Sequence, residues 1–99
     1  MKLFIVVDCA LTAGLKAAQA CHALRAFTDA FPDIDKLWFE QSNNIVILQT
    51  EDVRAVADKL EAEGVLLARF HEPDMQNALT AFCVEPGKHR QLSRLRLAG

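Results

Sequence analysis

Three polar side chains that could support proton transfer or hydrogen bonding lie close together after an apolar segment: Lys16, Gln19 and His22. Mostly small residues surround them, so a ligand or a second backbone can approach closely. Residues three apart share a face of a helix, which places Gln19 beside His22. An imidazole can accept a proton, while an amide or an ammonium can donate hydrogen bonds to an oxyanion. This segment therefore predicts a polar site at the start of a helix.

A second set of candidate groups lies between His71 and Thr80. The carboxylates of Glu72 and Asp74 could each take a proton from an attacking water, and the Thr80 hydroxyl could donate a hydrogen bond to an oxyanion. We place Glu72 first because it is closer to the end of the preceding apolar segment. The alternative for the carboxylates is a solvated loop in which Pro73 favours a turn, and the alternative for Thr80 is an ordinary strand threonine. No serine stands at a strand-to-helix elbow and Cys21 falls on the stripe predicted to face the core, so neither a serine nor a cysteine nucleophile is indicated.

The helix that carries the first group is predicted from Leu15 to Ala30, because Pro32 disfavours helical geometry in the residue before it. At about 100° per residue, Gln19 and His22 are predicted to face away from the core. The stripe predicted to face the core consists of Ala17, Ala20, Cys21, Leu24, Phe27 and Phe31. Two interpretations of His22 remain open, a member of a functional site and an idle surface residue.

Four apolar segments predict the strands of a sheet. The nearly continuous run from Lys2 to Asp8 is typical of a central strand that is covered on both faces. The other three are Asn44–Thr50, Val65–Phe70 and Leu79–Val84, with Leu37–Glu40 as a short extended segment before the second strand. A second helix is predicted from Glu51 to Glu63, with Thr50 as its N-cap and Gly64 at its end.

The predicted order of elements is β-α-β-α-β-β, followed by a short tail. Helical connections favour parallel crossovers between the early strands, while the short loop from His71 to Asn77 allows an antiparallel pair. We therefore expect an α/β fold in which a mixed four-stranded sheet has helices on both faces. This is a three-layer α/β/α arrangement.

The 99 residues fit one domain, residues 1–99, with the 52% hydrophobic and 24% charged composition of an ordinary soluble protein. Neither a membrane span nor an N-terminal leader pattern is present, so we expect a cytoplasmic protein with no membrane partner. Cys9, Cys21 and Cys83 lack the spacing of a disulfide framework or a zinc site and are predicted to be free, buried thiols. No metal or cofactor is predicted.

Charge is distributed unevenly along the chain. Residues 1–86 hold seven Lys and Arg against thirteen Asp and Glu, whereas residues 87–99 hold four basic residues and no acid. A phosphate-rich partner would be attracted by this tail rather than by the acidic body. Lys88 and Arg90 are therefore candidate substrate-binding residues, and the alternative is a solvated basic end.

Most of the chain resembles the type-2 peptidyl-tRNA hydrolases, which cleave the ester between a peptide and the terminal ribose of tRNA. The resemblance runs without a gap from Asp8 to the segment Ala17-Ala-Gln-x-x-His-Ala23. It resumes at Trp38 and at Val46-Ile-Leu48, and it ends with Thr80-Ala-Phe-Cys-Val-Glu-Pro86.

The resemblance implies that peptidyl-tRNA is the substrate, that a positioned water attacks the ester, and that the reaction needs no cofactor. It implies catalytic roles for Lys16, His22, Thr80 and a carboxylate from Glu72 or Asp74. Gln19 and Asp8 are expected to bind the substrate, together with Lys88 and Arg90 of the tail.

The lysines, the loop before Thr80 and the tail differ from the family pattern. Leu15 occupies the position of the family's active-site lysine, and Lys16 stands one residue later, where its long side chain could bring the ammonium back. Ala10 and Ala13 replace the family's loop lysines. The loop before Thr80 is shorter than in the family, and the tail is shorter and more basic.

Two other functions remain open. A non-catalytic domain of the same fold could use the pocket to bind a peptide, a nucleotide or a protein, which the acidic body and the absent loop lysines favour. A hydrolase of small esters or amides would need no attraction for a polyanion. The assembly is open as well, with a homodimer as one alternative.

Overall fold

The computed structural model describes residues 1–99 as a mixed α/β structure with three helices and a five-stranded sheet. The helices are α1 (Ala13–Ala30), α2 (Pro32–Gln41) and α3 (Val53–Ala62). The strands are β1 (Lys2–Asp8), β2 (Asn44–Thr50), β3 (Leu67–Glu72), β4 (Ala78–Val84) and β5 (Arg96–Leu97). Single turns of 3-10 helix lie at Pro73–Met75 and Arg90–Leu92. None of the helices combines the length and the apolar character needed to cross a membrane.

The strands are ordered β3-β4-β1-β2-β5, with β1 at the centre and parallel to β2. β4 is antiparallel to both β1 and β3, and β5 is antiparallel to β2. The predicted mixed sheet is confirmed, but the prediction of four strands is wrong. The fifth strand lies in the predicted tail, where Arg96 and Leu97 pair with Gln49 and Leu48. Two residues are too few to show the alternating pattern by which a strand is recognised.

Helix α2 takes the place of the predicted extended segment Leu37–Glu40. Pro32 and two acidic residues in the first turn favour the start of a helix. Trp38 is buried, and its indole N–H donates a hydrogen bond to the carbonyl of Asn44 (3.1 Å). Burial of this aromatic side chain outweighs the strand preference of the bulky residues around it. The observed order of elements is therefore β-α-α-β-α-β-β-β.

Two clusters of buried apolar side chains form the core. Leu3, Ile5 and Val7 of β1 belong to a cluster with residues of α1 and α2, whereas Val6 belongs to a cluster with residues of α3. Successive side chains of a strand point to opposite faces of the sheet, which explains why neighbouring residues of β1 contact different helices. Because β1 is covered by both clusters, its sequence is almost entirely apolar.

The buried face of α1 differs from the predicted stripe. Gln19 is buried together with Ala20 and Ala23, whereas Ala17 and Cys21 are exposed. The prediction that Gln19 faces away from the core is therefore wrong. A glutamine can lie in a core when both ends of its amide are hydrogen-bonded, and apolar periodicity alone does not reveal such partners.

Two local predictions also need correction. Asp52 caps α3 in place of Thr50, because its side chain accepts a hydrogen bond from the backbone N–H of Ala55 (3.0 Å). Of the three free thiols, only that of Cys83 is buried, and this burial raises its pKa. The Cys21 thiol is exposed because the helix is rotated relative to the predicted stripe, and Cys9 is only partly buried.

Candidate active site

The amide of Gln19 connects three elements in a partly buried hydrogen-bonded unit, the Gln19 bridge, formed with Glu72 and Thr80. Its Nε2 donates to Oε1 of Glu72 (2.8 Å), and its Oε1 accepts from the Thr80 hydroxyl (2.5 Å). Gln19 and Thr80 are each only 1% exposed. An ionised carboxylate can only accept, so the amide nitrogen faces Glu72 and the amide oxygen faces Thr80. Helix α1 is thereby connected to β3 and β4.

A β-bulge brings Thr80 to the face of the sheet that α1 covers. Leu79 and Ala81 pair with consecutive residues of β3, so β4 has one extra residue at Thr80. Leu79 packs with the α3 cluster, whereas Ala81 packs with the α1 cluster. A bulge reorients the side chains beside it. In a regular strand Thr80 would share the α3 face with Phe82, but here its hydroxyl reaches Gln19.

The carboxylate of Glu72 accepts a hydrogen bond at each oxygen. In addition to the bond at Oε1, its Oε2 accepts from the backbone N–H of Asp74 (3.3 Å). The hydrogen bond from Gln19 is the main cause that lowers the pKa of Glu72 below the ordinary value of 4.5; partial desolvation opposes it, while the Asp74 amide and the charge of His22 support it. Glu72 is therefore ionised at neutral pH and poised to accept a further hydrogen bond.

His22 lies on the exposed side of α1 and stacks on Phe70 of β3. The two rings are 4.6 Å apart between centroids and inclined by 17°. Phe70 is two residues before Glu72 in the same strand, so both side chains point to the α1 face. The stack fixes the imidazole above β3, close enough for its charge to lower the pKa of Glu72. An open cleft of about 350 Å³ beside the stack is also lined by Arg25 and Asp29.

Lys16 is not directed toward Glu72. Its ammonium donates to Oε1 of Gln49 on β2 (2.6 Å) and forms no ion pair. Strands β1 and β4 lie between β2 and β3, a separation of about 14 Å at the usual strand spacing. Leu15, at the position of the family's lysine, is 44% exposed.

The remaining candidates lie outside the Gln19 bridge. Asp74 is exposed and contributes its backbone N–H, not its carboxylate, to Glu72. Asp8 accepts a hydrogen bond from the backbone N–H of Ala10 (2.9 Å) and so closes the turn after β1. The structure thus brings Gln19, Glu72 and Thr80 together, with His22 beside them, and leaves the other predicted groups apart.

The first half of the basic tail lies at the opposite end of the sheet. The backbone N–H of Gly87 donates to the carbonyl of Lys2 (3.2 Å), and Lys88 lines a cleft with Met1 and Phe4. A seven-residue strand such as β1 spans about 20 Å, so Lys88 is remote from the end where Glu72 lies. Arg90 belongs to the 3-10 turn that follows and is exposed.

Sequence reasoning missed two residues that hold candidate side chains in place. The apolar pattern places Phe70 in a strand, and its spacing of two from Glu72 is a usable signal that both residues share a face. Gln49 likewise falls in a predicted strand, and nothing in the pattern connects it to Lys16. That interaction depends on the pairing of β1 with β2, which places Gln49 beside Val7 under α1.

The geometry is that of a carboxylate and an imidazole at an accessible edge, supported from beneath by a buried amide and hydroxyl. No cluster of three or more His, Cys, Asp or Glu side chains is arranged to hold a metal ion. No model of a known protein family matches the chain, and none of the curated protein sequences matches it either. Chemically, the arrangement can orient a water at Glu72 and direct it toward an electrophile near His22.

Proposed function

We propose that the protein is a hydrolase similar to the type-2 peptidyl-tRNA hydrolases and cleaves the ester between a peptide and tRNA with a positioned water. The Gln19 bridge carries this proposal. Gln19 is 53 positions from Glu72 and 61 positions from Thr80 in the sequence, yet the three side chains form one hydrogen-bonded unit. All three are residues to which the resemblance gives a place in the site. A solvated loop around Pro73 would not require a buried partner on α1.

In the proposed reaction, ionised Glu72 accepts a hydrogen bond from the attacking water. The water oxygen bonds to the ester carbonyl carbon while its proton passes to Glu72, and a tetrahedral oxyanion forms. The bond from this carbon to the ribose oxygen then breaks, and the ribose oxygen takes the proton. His22, exposed beside Glu72, donates a hydrogen bond to the oxyanion. Gln19 and Thr80 are too deeply buried to touch the ester, and they act as positioning residues for Glu72.

Release of free tRNA from peptidyl-tRNA tests this proposal. The double variant His22→Ala/Glu72→Ala should lose about 10²–10⁴ in rate, the usual contribution of a positioned acid or base. The matched control His71→Ala/Glu40→Ala also removes one imidazole and one carboxylate, but from exposed positions outside the bridge. Asp74→Ala identifies which carboxylate acts. The proposal fails if the wild-type chain does not turn over, or if both double variants cleave at the wild-type rate.

A non-catalytic binding domain is the second candidate, and the position of Lys16 favours it. The Lys16 ammonium donates its hydrogen bond to Gln49, so it does not contact Glu72. Such a domain would bind tRNA in a salt-sensitive manner without cleaving it. Efficient cleavage of peptidyl-tRNA by the wild-type chain would exclude this candidate. Cleavage of an aminoacyl ester that lacks tRNA would instead identify a hydrolase of small esters.

The proposed function also has consequences for the location of the protein, its contacts with tRNA and its assembly. A hydrolase of peptidyl-tRNA acts in translation, which fits a cytoplasmic location. The three-layer arrangement supports the site because α1 on one face supplies Gln19 and His22 while α3 supports the other face. Lys88, at the opposite end of β1 from Asp8, contacts the tRNA backbone away from the ester, together with Arg90 of the turn that follows. A homodimer is compatible with this use of the surface.

A further inference from the structure

A second cleft lies at the carboxyl ends of the parallel strands β1 and β2, away from Glu72. Its volume is about 260 Å³, and its lining includes Cys9, Gln49, Thr50, Glu51, Arg94 and Arg96. Ligands of open α/β sheets commonly bind outside the carboxyl ends of the strands, where the loops leave a crevice. The basic end of the chain returns to this edge, because β5 pairs with the last residues of β2.

The two arginines of this cleft are free of protein partners. Arg94 and Arg96 are exposed, and neither side chain forms an ion pair or a hydrogen bond with the protein. The acidic side chain in the lining is that of Glu51, which is also exposed and unpaired. Two guanidinium groups against one carboxylate leave a net positive charge. The planar fork of a guanidinium matches the geometry of phosphate oxygens.

Lys16 provides a third positive charge on the same side of the sheet. Arg96 pairs directly with Gln49 in the antiparallel register, so their side chains point to the same face. Gln49 in turn accepts the hydrogen bond from the Lys16 ammonium. Lys16, which does not contact Glu72, therefore lies next to the cleft that Arg94 and Arg96 line. Three cations from α1, β5 and the preceding turn converge on one edge of an otherwise acidic body.

We propose that this cleft binds a phosphate group carried by a nucleotide or by an RNA strand, with Arg94 and Arg96 as its main contacts. The inference goes beyond the proposed hydrolysis, because binding of a phosphate requires no reaction at Glu72. It differs from the sequence-based expectation, which assigns phosphate contacts to Lys88 and Arg90. The cleft and the Gln19 bridge lie on β2 and β3 respectively, so each can be tested separately.

Titration of the 99-residue chain with adenosine monophosphate, followed by amide chemical shifts, tests the site. Adenosine without phosphate is the ligand control, and a short single-stranded RNA is the second probe. The nucleotide should shift the amides of Cys9, Thr50 and Arg96 in a saturable manner at millimolar concentration, and adenosine should not. Glu72→Ala should bind as the wild type does, even if hydrolysis is abolished.

Three double variants locate the phosphate-binding residues, and each removes two positive charges. Arg94→Ala/Arg96→Ala should weaken binding about tenfold or more, the usual consequence of removing hydrogen bonds to a charged group. Lys36→Ala/Lys59→Ala, at exposed positions of α2 and α3, should stay within about twofold, because screened charges far from a site contribute little. Lys88→Ala/Arg90→Ala should also retain binding of adenosine monophosphate, because the contacts proposed for these two residues are to the backbone of a long tRNA and lie outside this cleft. With the RNA probe, the association constant is measured at several salt concentrations. In Arg94→Ala/Arg96→Ala the slope of log K against log[salt] should become less negative by roughly 0.7 for each phosphate that is no longer neutralised.

Several outcomes would overturn the inference. Equal reductions in affinity in all three double variants would mean that only overall charge matters, and a selective reduction in the Lys88 and Arg90 variant would place the phosphate elsewhere. Equal shifts with adenosine would mean that the base is bound instead. Absence of saturable binding with both probes would rule out the site. Binding of both probes would identify the phosphate group alone as the determinant, whereas binding of RNA alone would identify a phosphodiester within a strand.

Discussion

At the scale of single residues, Gln19 has the largest structural consequence, because it satisfies two polar groups that are otherwise costly to bury. Gln19→Leu leaves the buried Thr80 hydroxyl without an acceptor, and Thr80→Val leaves the Gln19 oxygen without a donor. Each should lower the free energy of unfolding by about 1–3 kcal/mol. The double variant removes both groups and should be less destabilised than the sum of the two. Urea denaturation measures all three variants.

The control for this cycle is Gln41→Leu, which removes an exposed amide on α2 and should change the free energy of unfolding by less than about 0.5 kcal/mol. Strict additivity of Gln19→Leu and Thr80→Val would contradict the direct bond between these two side chains.

The same bridge controls the ionisation of Glu72. Gln19→Leu removes the main hydrogen bond to its carboxylate, so the pKa of Glu72 should rise toward or above 4.5. In the wild type the folded state binds this proton less readily than the unfolded state. Glu72 therefore stabilises the fold above its unfolded pKa, and this contribution is lost as the pH falls through its lower folded-state pKa. A carbon NMR titration of the carboxyl group measures the change, with exposed Glu40 as an internal control; an unshifted Glu72 would remove Gln19 from this role.

The residues of the site are recognisable from the sequence, but their orientations are not. Gln19, Glu72 and Thr80 are all predicted members. Helical periodicity places Gln19 on the solvent side, because periodicity treats every polar residue as exposed. Regular alternation along β4 would turn Thr80 away from α1, and only the bulge reverses this. The error for Gln19 arises from partners more than 50 positions away, which local patterns do not contain.

At the scale of elements, Arg69 holds β3 against α3. Its guanidinium contacts Asp58 (2.6 Å) and Glu61 and is only 20% exposed, whereas both carboxylates are largely in water. Asp58→Asn/Glu61→Gln leaves a mostly buried cation without a counter-charge, while Arg69→Met leaves two carboxylates that remain hydrated. The first change should therefore destabilise the protein more than the second.

Thermal or urea unfolding compares these two variants. Lys36→Met is the control, because the Lys36–Glu40 pair on α2 is exposed at both ends and should contribute about 0–1 kcal/mol. A greater destabilisation by Arg69→Met than by the paired carboxylate variant would show that packing of the Arg69 stem, not its charge, connects β3 to α3.

Strands with an uninterrupted apolar run are predicted with the correct boundaries. Elements that form only through tertiary interactions are not predicted. β1 and β2 have the predicted boundaries because their apolar runs are long and uninterrupted. α2 is missed because its bulky residues favour a strand, while the burial of Trp38 under the sheet decides for a helix. β5 has only two residues and exists because the edge of β2 is available to pair with it.

At the scale of the whole molecule, the strand order decides which groups can act together. β1 and β4 separate β2 from β3, so Lys16 and Glu72 lie on different sides of α1, although Lys16 is only three residues from Gln19, which contacts Glu72. The sequence shows both residues but not this separation, which requires the pairing of strands distant in the chain. The molecule therefore presents a carboxylate edge at β3 and a basic edge at β2 and β5, and a long polyanionic substrate could contact both.

This separation leads to a prediction about the pH dependence of the proposed cleavage of peptidyl-tRNA. If Glu72 must be ionised, kcat/KM falls as the pH drops through the pKa of Glu72 in the free enzyme. Since the Gln19 bridge lowers that pKa, the acid limb of the wild type should lie at lower pH than that of Gln19→Leu. The displacement should equal the change in the pKa of Glu72 measured by NMR. Arg94→Ala/Arg96→Ala lies on the other edge, so it should raise KM and leave the acid limb unchanged. An acid limb that moves with the arginines, or that stays fixed in Gln19→Leu, would show that the titrating group is not Glu72.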